Sequence, residues 1–167
     1  MAATKPIKRA LISVYDQSRL LEIGKILADA GVEILATGAT AKTLVAAGVP
    51  AIEVSSYTQF PEILNGRIKT LHPRIHAGVL ANQDDPEHMA ALAELTIKSF
   101  DLVIINLYPF LETIFSGANF DECIEQIDIG GPTILRGAAK NHSSVATISS
   151  PRSEEHTSEL QSRGLIS

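Results

Sequence analysis

Three short segments of the chain place proton donors and acceptors next to turns that expose backbone amides. They are N-G-R-I-K-T-L-H-P at residues 65–73, I-N-L-Y-P-F at 105–110, and Q-I-D-I-G-G-P at 126–132, which A-A-K-N-H follows at 138–142. They supply lysine, tyrosine, aspartate, asparagine and histidine side chains outside any obvious apolar packing stripe. A structural scaffold does not need so many polar groups. The segments therefore predict a site for a small anionic substrate that makes many hydrogen bonds.

A fourth segment, T-G-A-T at residues 37–40, lies directly after a predicted strand and opens a predicted helix. Free amides and the positive end of a helix make such a turn an anion site, with threonine hydroxyls as extra donors. The alternative is an ordinary strand-to-helix turn with Thr40 as the N-cap, and these residues alone do not decide between the two. The segment is not a P-loop, because no Gly-Lys-Ser/Thr follows.

Residues 67–76 concentrate basic side chains in an acidic protein. Their positive potential can attract a phosphorylated ligand, although a solvated basic loop would have the same composition. His72 and His76 have the spacing of metal ligands on a helix, but Pro73 argues against a helix there. No carboxylate completes such a set, so we expect no metal.

The composition narrows the class of protein. With 167 residues, 45% hydrophobic and 20% charged, the chain has the size and balance of one soluble globular domain. A net charge of −5 argues against a nucleic-acid partner. The single cysteine, Cys123, excludes an internal disulfide and fits a reducing cytoplasm. No apolar run has the length of a signal peptide or a membrane span, so we expect no membrane partner.

Predicted strands and helices alternate along the chain. The strands are predicted at residues 9–14, 32–36, 51–54, 102–105 and 145–148, and the helices at about 20–30, 41–47, 86–95, 121–127 and 133–141. Residues 55–77 are predicted to be rich in loops. The alternation predicts an α/β domain with a mainly parallel sheet flanked by helices, and a site at the carboxyl ends of the strands.

Residues 152–167 do not continue this pattern. R-S-E-E-H-T-S-E-L-Q-S matches one reading frame of a widely used DNA sequencing adapter. We therefore expect native sequence to stop at about Pro151 and a non-native, disordered tail to follow. A charged, disordered native terminus is the alternative that composition allows.

The motifs G-R-I-K-T-L-H-P, N-L-Y-P-F, I-D-I-G-G and A-A-K-N-H, in this order, resemble the N-terminal domain of the bifunctional purine biosynthesis proteins. The resemblance runs from about Ile7 to Pro151. Proteins of this family couple inosine monophosphate (IMP) cyclohydrolase to AICAR formyltransferase. The resemblance implies a methylglyoxal-synthase-like, three-layer α/β domain at residues 1–151. It also implies that this domain is truncated, because the family's cyclohydrolase domain continues past Pro151 and its formyltransferase domain follows.

The resemblance also carries functional positions onto this sequence. It implies nucleotide contacts for Ser13, Tyr15, Asp16, Gln17, Thr37, Gly38, Ala39, Thr40, Arg67, Ile68, Thr70, Ile105, Asn106 and Ile129, and catalytic roles for Lys69, Tyr108, Asp128 and Lys140. Two positions depart from the family pattern. Gln17 stands where lysine is usual, which removes a cation near the phosphate. Ala39 stands where glycine is usual, which adds a methyl group where backbone approaches the ligand.

The implied reaction closes the ring of formamidoimidazole carboxamide ribotide (FAICAR) to give IMP and water, with no cofactor. As hypotheses, Lys140 moves the proton of the attacking amide with a second ammonium group nearby, and Lys69 and Tyr108 donate to the formyl oxygen. Asp128 orients the lysine or the amide, and Asn106 reads the base edge. The family further implies a cytoplasmic homodimer for the full-length protein.

Two other functions fit a domain of this fold. One is a regulatory module that binds a nucleotide without catalysis, like the related domain of carbamoyl-phosphate synthetase. Such a module needs the 37–40 loop but not the four catalytic positions. The other is methylglyoxal synthase, which is not expected to carry A-A-K-N-H or N-L-Y-P-F.

Overall fold

The computed structural model describes residues 5–150, so the tail predicted at 152–167 lies outside the described residues. Within that range the chain forms a parallel sheet of five strands, in the order β3-β2-β1-β4-β5. The strands are β1 (Arg9–Ser13), β2 (Glu33–Ala36), β3 (Ile52–Glu53), β4 (Leu102–Ile105) and β5 (Ala146–Ile148). At the centre, Leu11 pairs in register with Leu35 on one side and Val103 on the other. All three side chains are fully buried, as expected for continuous apolar strands covered on both faces.

Helices cover both faces of this sheet. They are α1 (Leu20–Asp29), α2 (Gly38–Ala46), α3 (Val54–Thr58), α4 (Pro73–Leu80), α5 (Pro86–Glu94), α6 (Phe110–Phe115), α7 (Phe120–Glu125) and α8 (Gly130–Lys140). On one face α1 and α2 bury Leu27 and Leu44 against β1, β2 and β4. On the other, α4 and α8 bury Ile75 and Ile134 against the same strands. The predicted three-layer α/β fold is therefore confirmed.

A glycine follows shortly after each of the first two helices. Gly31 and Gly48 follow α1 and α2 with φ of +75° and +78°, a left-handed conformation that glycine adopts without strain. Helices α2 and α8 each begin three residues before their predicted starts, at Gly38 and Gly130.

The prediction that residues 55–77 are rich in loops was wrong at both ends of that range. Helix α3 lies largely inside this range, and α4 begins at Pro73. Proline is tolerated at the first helical position because its missing N–H would have no partner there. Nδ1 of His72, the N-cap, accepts a hydrogen bond from the amide of Arg74 at 3.2 Å. Helix α6 was not predicted.

The strand order determines where a crevice opens. From β1 the chain winds outward to β2 and β3, then returns across the sheet to β4 on the other side of β1. In such sheets the loops after the two strands at the reversal diverge, and ligands bind between them at the carboxyl edge. Here those loops begin at Val14 and Asn106. Within residues 5–150, no helix is both long and apolar enough to cross a membrane.

Candidate functional site

Asn106 ties together the two loops at the reversal point. Its Oδ1 accepts hydrogen bonds from the amides of Tyr15 (2.6 Å) and Asp16 (2.9 Å), and its Nδ2 donates to the Asp16 carbonyl (2.8 Å). The side-chain amide is thus occupied by the loop after β1. The Asp16 carboxylate accepts from the amide of Ser18 at 2.9 Å, which holds the pKa of Asp16 below its ordinary value.

Residues 37–40 form the junction between β2 and α2. Thr37, not Thr40, is the N-cap, and its hydroxyl lies 3.0 Å from that of Ser13. The buried hydroxyl of Thr40 donates to the carbonyl of Val14 and accepts from its amide, both at 3.3 Å. These contacts fasten α2 to the end of β1. The amides of the first turn have no acceptor inside the helix, so they are the groups available to an anion.

The two departures from the family pattern both lie beside this junction. The Oε1 atom of Gln17 accepts a hydrogen bond from the hydroxyl of Thr43 at 2.9 Å, so Gln17 lies against α2. Ala39 is exposed in the first turn of the helix. Neither residue disturbs the contacts between α2 and β1.

Lys69 and Tyr108 form the most clearly defined polar pair of the site. Nζ of Lys69 donates to the phenol oxygen of Tyr108 at 2.9 Å and lies 5.4 Å from the centroid of its ring. The ring of Tyr108 in turn meets that of Tyr15 edge to face, with centroids 5.7 Å apart. Lys69 and Tyr108 are both half-buried, so the pair is accessible but held in place.

The start of α8 packs against the same loops. Oδ1 of Asp128 accepts from the amide of Gly131 at 2.9 Å and so binds an otherwise free amide of the first turn. A Cβ atom on Gly131 would lie 2.7 Å from both Asp128 Oδ2 and Leu107 Cδ2, and one on Gly130 would lie 2.6 Å from Thr70 Oγ1. The glycine pair therefore allows the segments around Thr70, Leu107 and Asp128 to meet.

Arg67 belongs to a tight turn closed by an antiparallel bridge between Ile63 and Ile68. Its guanidinium donates to both carboxylate oxygens of Glu125, at the end of α7. This pairing raises the pKa of Arg67 above its ordinary value. The cation that was predicted to meet a nucleotide is thus paired with a carboxylate in the free chain.

The remaining residues predicted to contact a nucleotide differ in how far their side chains are buried. Ile129 is exposed beside Asp128, and Thr70 is buried under Gly130. The side chain of Ile105 is buried in the core, so only its backbone can face a ligand. Ile68 is half-buried in the bridge with Ile63.

Lys140 does not join the other predicted catalytic residues. It is the exposed last residue of α8, whereas Thr70 and Asp128 pack at the first turn. Eleven helical residues separate the two ends by about 15 Å along the axis. The following residue, Asn141, is buried and donates to the carbonyls of Val79 and Ala81, both at 2.8 Å. The hypothesis of two adjacent ammonium groups is therefore not realised within one chain.

Two residues near the site were not among the predicted contacts. The carboxylate of Glu62 lies next to Gly38 and Gly66, and nothing in its type or spacing marked it. His76, in α4, is half-buried, and burial holds its pKa below the ordinary value. Among residues 5–150, no group of three or more His, Cys, Asp or Glu side chains is placed to hold a metal ion.

Comparison with known proteins identifies the fold family and its relatives. The MGS-like domain family matches residues 19–133. The bifunctional purine biosynthesis proteins PurH of Mycobacterium ulcerans (strain Agy99) and Mycobacterium marinum (strain ATCC BAA-535 / M) are each 58% identical over 148 residues, which is 89% of this chain and 28% of the relative. PurH of Cutibacterium acnes (strain DSM 16379 / KPA171202) is 52% identical over 164 residues, 98% of this chain and 32% of the relative.

The chain thus spans about a third or less of the length of these curated relatives. Among solved structures, the crystal structure of ForH superposes with a TM-score of 0.74 at 30% identity, covering 95% of this chain and 81% of that one. The match to the domain family extends over more than half of the sequence and agrees with the five-stranded parallel sheet. The chain belongs to the MGS-like domain family.

Proposed function

We propose that this chain carries an IMP cyclohydrolase activity of purine biosynthesis, which closes the ring of FAICAR to IMP and releases water. One observation carries the proposal. The Lys69–Tyr108 pair, the Asp128 loop and the first turn of α2 lie along one edge of the sheet, in a chain 52–58% identical to bifunctional purine biosynthesis proteins. An anion site and a proton-donor pair on the same edge suit a phosphorylated substrate whose reacting atoms are polar.

The proposed orientation follows from the charges at that edge. The ribotide phosphate is assigned to the amides at the start of α2, where the helix dipole favours an anion. The imidazole and its substituents then lie toward Lys69 and Tyr108, across the loop after β1. Fixing the phosphate and the base together restrains the carboxamide and the formyl group, and orientation is the main requirement of an intramolecular reaction.

Ring closure needs one bond to form and one oxygen to leave. The carboxamide nitrogen attacks the formyl carbon, and the electron pair of the formyl C=O moves to its oxygen. The attacking nitrogen loses one proton and the formamido nitrogen loses the other, a C=N bond forms to the former formyl carbon, and its C–O bond breaks to release the oxygen as water. Because the phenol oxygen of Tyr108 accepts from Lys69, its own proton is free to point at another acceptor. In this proposal that acceptor is the developing oxyanion.

Asp128 is assigned to the amide side of the reaction. Its Oδ1 is held by Gly131, while Oδ2 has no hydrogen-bond partner within residues 5–150. A carboxylate oxygen in this position can accept a hydrogen bond from the attacking carboxamide and orient it. The proton-transfer role of Lys140 stays a prediction from the resemblance, because Lys140 lies at the other end of α8.

That position of Lys140 favours a second candidate, a nucleotide-binding module without catalysis. The first turn of α2 would bind the phosphate in either case. The two functions differ in turnover and not in affinity. They are therefore separated by measuring both on the same preparation.

The test combines binding and turnover. The chain is incubated with FAICAR and the appearance of IMP is followed by absorbance and chromatography, while calorimetry compares IMP with inosine. A second protein controls for the short length of the chain. It is a chimera in which residues 5–150 replace the matching segment of the Mycobacterium marinum relative. Turnover that Lys69→Met abolishes supports the enzyme. Phosphate-dependent binding without turnover in either protein supports the module and contradicts the proposal.

The proposal also includes a cytoplasmic location and, for the longer protein, a homodimer, both as the resemblance implies. Sedimentation of the chimera tests the second expectation. A monomer at all concentrations would contradict it.

A further inference from the structure

A carboxylate lies directly over the first turn of α2. A Cβ atom built on Gly38 would lie 2.9 Å from Oε2 of Glu62, and one built on Gly66 would lie 2.8 Å from Oε1 of the same residue. The two oxygens thus lie between the start of the helix and the turn that precedes Arg67. While Glu62 holds this position, a larger residue fits at neither glycine.

No basic side chain holds the Glu62 carboxylate in this position. Within residues 5–150, Glu62 makes neither an ion pair nor a side-chain hydrogen bond, and the adjacent cation, Arg67, is paired with Glu125. The positive group next to Glu62 is instead the amino end of α2, whose dipole and free amides attract a negative charge. An anionic side chain therefore lies beside the position proposed for the phosphate, without accepting a hydrogen bond from the amides there.

We propose that Glu62 is an internal competitor for the phosphate position. In the free chain its carboxylate lies beside the anion position, and a phosphate binds only after Glu62 turns outward. The inference rests on the proposed function, which assigns the phosphate to the start of α2. Two anions a few ångströms apart repel each other, so Glu62 and the phosphate cannot share that position.

The side chain of Glu62 is free to move because it is exposed. Its displacement breaks no hydrogen bond or ion pair among the described residues. The consequence is selectivity, because an anion with little binding energy of its own does not displace Glu62, whereas a phosphate attached to a well-held base does.

The test uses the full chain and inorganic phosphate, followed through the NMR signal of the Gly38 amide and by calorimetry. Glu62→Gln keeps the size of the side chain and removes its charge, so it should tighten phosphate binding at least about fivefold. Glu62→Ala should do the same, which guards against a glutamine that keeps the contact. The matched control is Glu94→Gln at the end of α5. This residue lies near the edge of the sheet where β4 begins, so the change should leave phosphate affinity unchanged.

Equal or weaker phosphate binding by both Glu62 variants, with unchanged melting temperatures, overturns the inference. Absence of phosphate binding in every variant overturns it together with the phosphate assignment. The proposed function fails separately. Tighter phosphate binding in the variants without conversion of FAICAR would support Glu62 as a competitor and contradict the cyclohydrolase proposal. Normal conversion of FAICAR with unchanged phosphate affinity would contradict the role of Glu62 and support the cyclohydrolase proposal.

Discussion

Replacing Tyr108 with phenylalanine is the most direct test of the proposed chemistry. The change removes one oxygen atom and keeps the ring, so the edge-to-face contact with Tyr15 at 5.7 Å is retained. It takes away the acceptor of Lys69 Nζ and, in the proposal, the donor to the formyl oxygen. Folding and catalysis should therefore respond by very different amounts.

The two magnitudes follow from the surroundings of the pair. Lys69 is only half-buried, so water can replace the lost partner, and the free energy of unfolding should fall by about 1 kcal/mol or less. Loss of one donor to a developing oxyanion typically lowers kcat by about 10²–10³-fold, or roughly 3–4 kcal/mol of barrier. Turnover should thus fall far more than stability, while the affinity for IMP changes little.

The assay is ring closure of FAICAR measured on whichever protein, chain or chimera, shows turnover, together with urea denaturation. Tyr57→Phe is the matched control. Tyr57 is also half-buried and its phenol oxygen accepts a bond at 3.4 Å, but its partner is Lys98, just before the amino end of β4. A Tyr108→Phe protein that turns over within about threefold of the unmodified one would refute the role given to Tyr108, because a lost donor costs more than that.

Three further predictions concern stability, pH and affinity. Ile134→Ala empties a fully buried site between α8 and the sheet, so the free energy of unfolding by urea should fall by about 2–5 kcal/mol, and a smaller loss would contradict the packing. Burial lowers the pKa of His76 below 6.5. The unfolded chain then binds a proton that the folded chain takes up only at lower pH, so stability should fall as pH drops below 6.5. His76→Gln should reduce that slope in urea titrations, and an unchanged slope would exclude His76 as its source. Gln17→Lys should tighten IMP about three- to tenfold and leave inosine unchanged by calorimetry, because it adds a cation near the phosphate; equal gains for both would contradict this.

The strands and their layering could be predicted because they depend on local composition. Runs such as L-V-I-I at residues 102–105 are apolar throughout, and a strand of this kind is stable only when both faces are covered. Helix α6 was missed because its local composition does not mark a buried face. All four of its large apolar residues are exposed, from 38% for Phe110 to 84% for Phe115, so their spacing follows no face of the core.

The sequence names candidate site residues but not the contacts between them. The motifs name Lys69, Tyr108 and Asp128, but the hydrogen bond between the first two requires the loop before α4 to meet the loop after β4, which no local pattern specifies. The start of α8 shows a different limit. The glycine pair was interpreted as a turn, yet the amide of Gly131 binds Asp128 and both glycines enter the helix. The eleven-residue helix places Lys140 at the end opposite to Asp128.

Two carboxylates of the free chain lie at its own candidate site. Arg67 is held by Glu125 from one side of its turn, and Glu62 lies over the start of α2 from the other. On the proposed function, a nucleotide must displace both carboxylates, so part of its binding energy is used to open the site. A ligand with only a phosphate or only a base gains too little to do so, whereas one with both gains from two sets of contacts. The turn between Glu62 and Arg67 then determines whether the chain accepts a whole nucleotide and rejects its parts.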